Sequence, residues 1–227
     1  MASLNTILSI SESVGITDQR FIGQTMSRNQ RIATSEILSV QPFGFEMKPM
    51  NYLLLSQNKS LLSYLRTIDR EYEGYLNFGS TGWVNYIQYQ GDMTSSQIGA
   101  CQYQTSSANK TIVLGNLPAI SSSAYIVKIG DFLQIDRYAY IATANVQRGS
   151  GTTVNIPVHR TIMTTLLSPM NAVIGQYGTT QSLGGATFTG VTFPVILVQY
   201  PNYTLVPMTN DSFIAWSNTF RAIEAVL

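Results

Sequence analysis

The shortness of its apolar runs is what most constrains this chain. From Tyr125 to Arg160 it reads YIVKIGDFLQIDRYAYIATANVQRGSGTTVNIPVHR, interrupted every few residues by Gly, Asp, Asn or Pro. The pieces between are rich in β-branched and aromatic residues and too short for helices. Ala124–Ile129, Phe132–Ile135, Tyr138–Ala144 and Thr153–Val158 therefore predict an antiparallel meander, with Gly130-Asp131 and Gly149–Gly151 as turns. Strands this short bury their apolar faces by packing sheet on sheet or by closing a barrel.

The flanking sequence extends the same pattern. Leu38, Val40, Phe43, Phe45 and Met47 alternate across Pro42, which marks an edge strand or a bulge. Further strands are expected at Tyr75–Phe78, Trp83–Gln90, Gln97–Tyr103, Thr111–Leu114, Val191–Gln199 and Thr204–Val206. Ser212–Trp216 and Thr219–Val226 read as a final hairpin around Ser217-Asn218, with a helix as the competing reading of the last eight residues. One segment has helical period: Leu61, Leu65, Ile68 and Tyr72 align within Ser60–Tyr72, with Asn58 as N-cap and Gly74 as C-cap. Residues 1–36 are polar and read as an N-terminal arm, either a flexible leader or, the favoured reading, an extended segment that docks on a neighbouring subunit. Residues 37–227 then form one β-rich domain with a long Gly-rich loop at about 169–190, where Ala172–Tyr177 can pair with Ala186–Val191. The expected class is all-β, mainly an antiparallel barrel or sandwich, with one packed amphipathic helix and an N-terminal arm.

Charge sets the surface apart. Charged residues are 11% of the chain, against ~25% in an ordinary soluble domain. Tyr, Ser, Thr, Asn and Gln take their place, which suits a surface covered by neighbours, because charges are costly to desolvate at interface cores. Net charge is +1 and no basic cluster forms, so specific nucleic-acid binding is not expected. A single cysteine, Cys101, excludes an internal disulfide framework. The first residues lack a basic region and meet Glu12 early, unlike a signal peptide. No apolar run approaches the ~20 residues of a spanning helix.

The residues offer little chemistry. His159 is the sole histidine and lies beside Arg160, with no nucleophile-elbow sequence in the chain, so a structural role is expected. Gly149-Ser150-Gly151-Thr152-Thr153 lacks the lysine and the following helix of a phosphate cradle. Asp131 follows Gly130 in a turn, Asp136 lies in the meander, and Asp69, Glu71 and Glu73 surround a helix end. No catalytic, cofactor-binding or metal-binding residue is assigned, and no enzymatic activity is expected.

Several motifs are familiar in combination: PFGFEMKP at Pro42–Pro49, the SLLSYLRTIDR helix, Gly82-Trp83, IVKIGDFLQID, RYAYIATANVQRGSGTTVNIPVHR, and the arm GITDQRFIGQTMSRNQRIATSEIL. Together they resemble virion structural proteins of tailed bacteriophages, closest to T4-like phages of marine bacteria and cyanobacteria. The resemblance implies a β-barrel module of a tail tube or baseplate hub that assembles in the host cytoplasm and works by self-assembly. It further implies a homo-oligomeric ring, expected to be a hexamer, contacts with other tail and baseplate proteins, and at most passive contact with DNA passing through a tube. Arg20, Phe21, Ile22, Arg28, Arg31, Tyr177 and Phe188 are the expected subunit-interface residues. A receptor- or glycan-binding β-domain of a virion fibre is the alternative, and a virion hydrolase is weakened by the missing acid and base.

Overall fold

A computed structural model describes residues 2–18, 22–26, 32–36, 42–68, 73–80, 86–104, 110–164, 169–179 and 185–226. It is an all-β protein of antiparallel sheets, including a half-barrel. In chain order the first part comprises β1 (Ala2–Ser3), α1 (Asn5–Ser9), β2 (Ser11–Thr17), β3 (Ile22–Met26), β4 (Ile32–Glu36), β5 (Gly44–Pro49), β6 (Leu53–Leu54), α2 (Leu55–Ile68) and β7 (Gly74–Asn77). The middle comprises α3 (Ser95–Ala100), β8 (Gln102–Tyr103), β9 (Thr111–Gly115), β10 (Tyr125–Val127), β11 (Phe132–Ile135), β12 (Tyr138–Ile141), β13 (Val146–Gln147) and β14 (Thr153–Pro157). The last part holds β15 (Met170–Asn171), β16 (Val173–Ile174), β17 (Thr192–Gln199), β18 (Tyr203–Met208), β19 (Asp211–Trp216) and β20 (Phe220–Glu224).

The largest sheet has the order β1-β7-β17-β20-β5-β2 and joins both ends of the sequence. Its pairs are antiparallel except β1 with β7. Smaller sheets carry the middle of the chain: β12-β11-β16, β14-β9-β8-β15 and β10-β13. A third region, β18-β19-β6, lies against α2.

Two apolar clusters fill the interior. One gathers Phe43, Phe45, Phe78 and Phe193 with Leu4, Leu8 and Leu65. The other gathers Tyr103, Tyr140, Leu114, Ile126 and Ile156. Strand β11 serves both, because successive side chains point to opposite faces. Phe132 joins the first cluster, while Leu133 and Ile135 join the second. Gln134 lies between them and is 2% exposed. Its amide accepts from Thr192 N–H at 2.7 Å and donates to Thr192 C=O at 2.8 Å, linking β11 to β17 as a backbone partner would.

The clusters also share a buried ion pair. Arg160 donates to the two carboxylate oxygens of Glu224 at 2.7 and 2.6 Å, and to Ala139 C=O at 2.6 Å. Glu224 also accepts from Phe43 N–H at 3.1 Å. The guanidinium carbon stands 5.0 Å from the centre of the Phe43 ring and 5.3 Å from that of Tyr140, so aromatic faces cover what the carboxylate leaves open.

The structure departs from expectation at identifiable places. The presumed arm is part of the fold over its first residues: Leu4, Ile7 and Leu8 are fully buried, and β2 pairs with β5. Residues β3 and β4 form a hairpin. Helix α2 begins at Leu55, so Asn58 lies within its first turn and donates to Leu54 C=O instead of capping. Gly74 opens β7 and is not a cap. Thr94 and Gln97 form a capping box that starts α3 where a strand was expected. Tyr86–Gln90 is not a strand; Tyr89 N–H and Gln90 N–H donate to the side chains of Gln176 and Asp131 instead. Trp83 to Asn85 lie outside the described residues.

The meander is also rewired: β11 and β12 form the expected hairpin, but β14 pairs with β9. The final hairpin does not form, since β19 joins β18 and β6 whereas β20 joins β17 and β5. In the Gly-rich loop, Val191 N–H donates to Gly175 C=O and Gly190 N–H to Gly178 C=O, both at 2.8 Å, so its two arms do meet. Gly175 has φ +56°, and a Cβ there would lie 2.6 Å from Ile87 C=O.

Two outcomes follow from this packing. Glu224→Gln leaves the Arg160 charge buried without its counter-charge and is expected to cost about 3–5 kcal/mol in urea unfolding, whereas joint replacement of Arg160 by Met and Glu224 by Leu recovers most of that loss. Leu8→Ala is expected to cost about 2–5 kcal/mol in the same assay, a penalty that a loose arm would not show.

Candidate interaction surface

The most distinctive surface is the hairpin β18–β19. Thr209 and Asn210 form its two-residue loop, and Asn210 has φ 68°, a conformation that Asn tolerates. The register runs from Met208↔Asp211 to Tyr203↔Trp216. Strand β19 faces the body through Ile214, which is fully buried, and through pairing with β6. Among the described residues no strand pairs with the outer side of β18. Every residue from Thr204 to Met208 is exposed, on both faces of the ribbon. Leu205, Val206 and Met208 are 46%, 44% and 43% exposed.

One carboxylate ties the hairpin to the helix. Asp211 accepts from Ser56 hydroxyl at 2.7 Å and Ser56 N–H at 3.2 Å at the start of α2, and from its neighbour Ser212 N–H at 2.7 Å. The Ser56 hydroxyl, followed by the Ser212 amide, holds the carboxyl below its ordinary value of 3.8.

Beneath the hairpin root lies a groove of about 440 Å³ between α2 and the ends of β17 and β18. Its walls include Leu62, Leu65, Arg66, Tyr200, Tyr203 and Trp216. Tyr203 meets Trp216 edge-on at 5.5 Å, and Tyr200 donates its hydroxyl to Leu65 C=O. Arg66 donates to Tyr203 hydroxyl at 3.3 Å. Trp216 also lines a second hollow of about 300 Å³, bordered by Glu46 and Lys48, and its buried indole N–H has no hydrogen-bond partner among the described residues.

Residues with catalytic potential are occupied otherwise. His159 Nδ1 accepts from Ile141 N–H at 3.0 Å, and its ring lies 5.5 Å from Phe43. Asp131, fully buried, accepts from Lys128 N–H at 2.8 Å and Gln90 N–H at 2.9 Å. Burial raises its pKa, and the two amides oppose that shift. At Gly149–Gly151 the loop turns carbonyls inward: Arg148 donates to Gly149 C=O at 3.2 Å and Gly151 C=O at 2.5 Å. A phosphate cradle presents N–H groups, the opposite polarity. Burial pushes the Cys101 thiol up to about 11, far from a reactive thiolate. Among the described residues no group of three or more His, Cys, Asp or Glu side chains is placed to hold a metal.

Of the expected interface residues, Arg20, Phe21, Arg28 and Arg31 lie outside the described residues. Ile22 begins β3 opposite Glu36. Tyr177 and Phe188 are half-buried against their own chain, on Tyr89 at 6.2 Å and on Tyr75 at 5.4 Å. The hairpin was missed although YTLVPM-TN-DSFIAW carries a two-residue turn signal between β-prone runs; Pro207 obscured it.

No protein-family model and no curated protein matches the chain.

The Asp211 contact has a definite pH dependence. A depressed carboxyl contributes stability above its unfolded value near 3.8 and loses it as pH falls through the lower folded value. Amide exchange at Ser56 is expected to stay slow above pH 4 and to accelerate below it beyond the intrinsic trend. Asp211→Asn, followed by the same exchange measurement, removes that step.

Proposed function

We propose that the protein is a non-enzymatic structural subunit of a phage tail or baseplate that acts by self-assembly in the virion. The observation that carries this reading is the hairpin strand β18, apolar and uncovered on both faces in a chain with only 11% charged residues. A free monomer ordinarily protects such a strand with charge, because an open ladder of N–H and C=O groups recruits other strands. The resemblance of the Pro42–Pro49, Gly130–Asp136 and Pro157–Arg160 motifs to tail proteins supports the same reading.

A second reading has its own observation. Tyr200, Tyr203 and Trp216 with Arg66 line a groove of the size that holds a small ligand, and aromatic walls with a polar rim suit a sugar. This favours a glycan-binding domain of a virion fibre.

Mass photometry from nanomolar to micromolar protein separates the two. Under the assembly reading the mass rises to discrete multiples of 25.0 kDa, with sixfold rings in negative stain. A persistent monomer whose Trp fluorescence shifts with an added oligosaccharide would replace it with the glycan reading.

A further inference from the structure

We infer that β18 is a self-complementary edge that pairs antiparallel with β18 of a second copy of this chain, about a two-fold axis through Leu205. The inference rests on the self-assembly reading and specifies one of its contacts.

Hydrogen-bond parity comes first. Ser217 N–H donates to Asn202 C=O at 2.9 Å, so the even-numbered backbone positions of this segment face β19. The tight loop between Met208 and Asp211 requires the same parity. Tyr203, Leu205 and Pro207 then turn their backbone groups outward. Among the described residues no strand lies beyond β18 in its sheet. Leu205 therefore offers one outward N–H and one outward C=O. Pro207 offers only a C=O, and a proline with its nitrogen on the open side marks an edge.

This edge fits itself. With Leu205 opposite Leu205 of the second copy, the two residues exchange both backbone bonds. Tyr203 N–H then meets Pro207 C=O of the other copy, once in each direction. The bond that proline cannot donate falls at the ends of the ribbon, where its loss is least disruptive. On the side chains, Tyr203 meets Pro207, and Val206 meets Thr204.

Charge does not oppose this pairing. From Tyr200 to Asn210 the sequence, YPNYTLVPMTN, holds no ionisable group other than tyrosine, so two copies bring no like charges together. By contrast β2, an edge of the largest sheet, carries Glu12, which pairs with Lys48 at the surface. Asp211, the next carboxylate along the chain, is already engaged by Ser56. A two-fold contact of this kind closes on itself and links subunits in pairs, so a ring needs a second, heterologous surface.

Cysteine cross-linking on the full chain tests the register. Leu205→Cys places two thiols at a hydrogen-bonded antiparallel pair with Cα atoms about 5.5 Å apart, within disulfide range. Cys101 is buried and does not compete. Val198→Cys, at a site 53% exposed, is the collision control. Mild oxidation is expected to give a covalent dimer on a non-reducing gel from Leu205→Cys and not from Val198→Cys. Leu205→Lys is expected to weaken association at least tenfold by mass photometry, with an unchanged circular-dichroism spectrum because the site is exposed. If wild type associates but Leu205→Cys does not cross-link, or cross-links no better than the control, this pairing is wrong while self-assembly stands. If wild type stays monomeric at all concentrations, both fall.

Discussion

The Arg160–Glu224 pair is the contact on which the rest of the architecture depends. Glu224 ends the last strand of the largest sheet, and Arg160 follows the last strand of the β9–β14 ladder. The two side chains are 2% and 0% exposed, so neither charge is solvated. Such a pair gains little net stability over an apolar substitute, because desolvation offsets most of the attraction. Its effect is on specificity. Only one relative placement of the two regions gives Arg160 its carboxylate, the Ala139 carbonyl and two aromatic faces together. A slip of one residue would leave an ion buried alone.

Two further polar links work with it. Gln134 binds the backbone of Thr192 in both directions, and Asn77 binds Thr192 hydroxyl and Thr189 C=O. The Gln134 amide takes the place of ladder bonds between β11 and β17, which are not sheet neighbours, whereas Asn77 reinforces the pairing of β7 with β17. The chain thus fixes its interior with a few directional contacts among many apolar ones. The hairpin β18–β19 stands outside this network, held by Ile214, β6 and the Asp211–Ser56 contact. That separation leaves an apolar strand open at its edge without disturbing the core.

Much of the fold was legible locally. Phe132–Ile135 and Tyr138–Ile141 alternate around a tight turn, and the structure pairs them in that register. Thr111–Gly115 and Thr192–Gln199 are strands because β-branched residues dominate them. Errors arose where a local signal had two readings or where pairing was non-local. Ser95–Ala100 is helical because the Thr94–Gln97 capping box outweighs a weak strand pattern. Ser212–Trp216 and Phe220–Glu224 are adjacent strands, yet burial of Phe220 and Glu224 in the main sheet separates them. The polar first residues hide Leu4, Ile7 and Leu8, which a short helix turns onto one buried face.

By itself the sequence determined an all-β chain of short strands, with few charges, a single histidine and one substantial helix, because propensity, turn chemistry and periodicity act over a few residues. Tertiary structure alone decided which strands meet, that Arg160 finds Glu224 across 64 residues, and that Leu205, Val206 and Met208 remain uncovered. The reason is physical: burial, ion pairing and sheet order depend on segments far apart in the chain, and no local pattern encodes which of two equally β-prone strands is left at an edge.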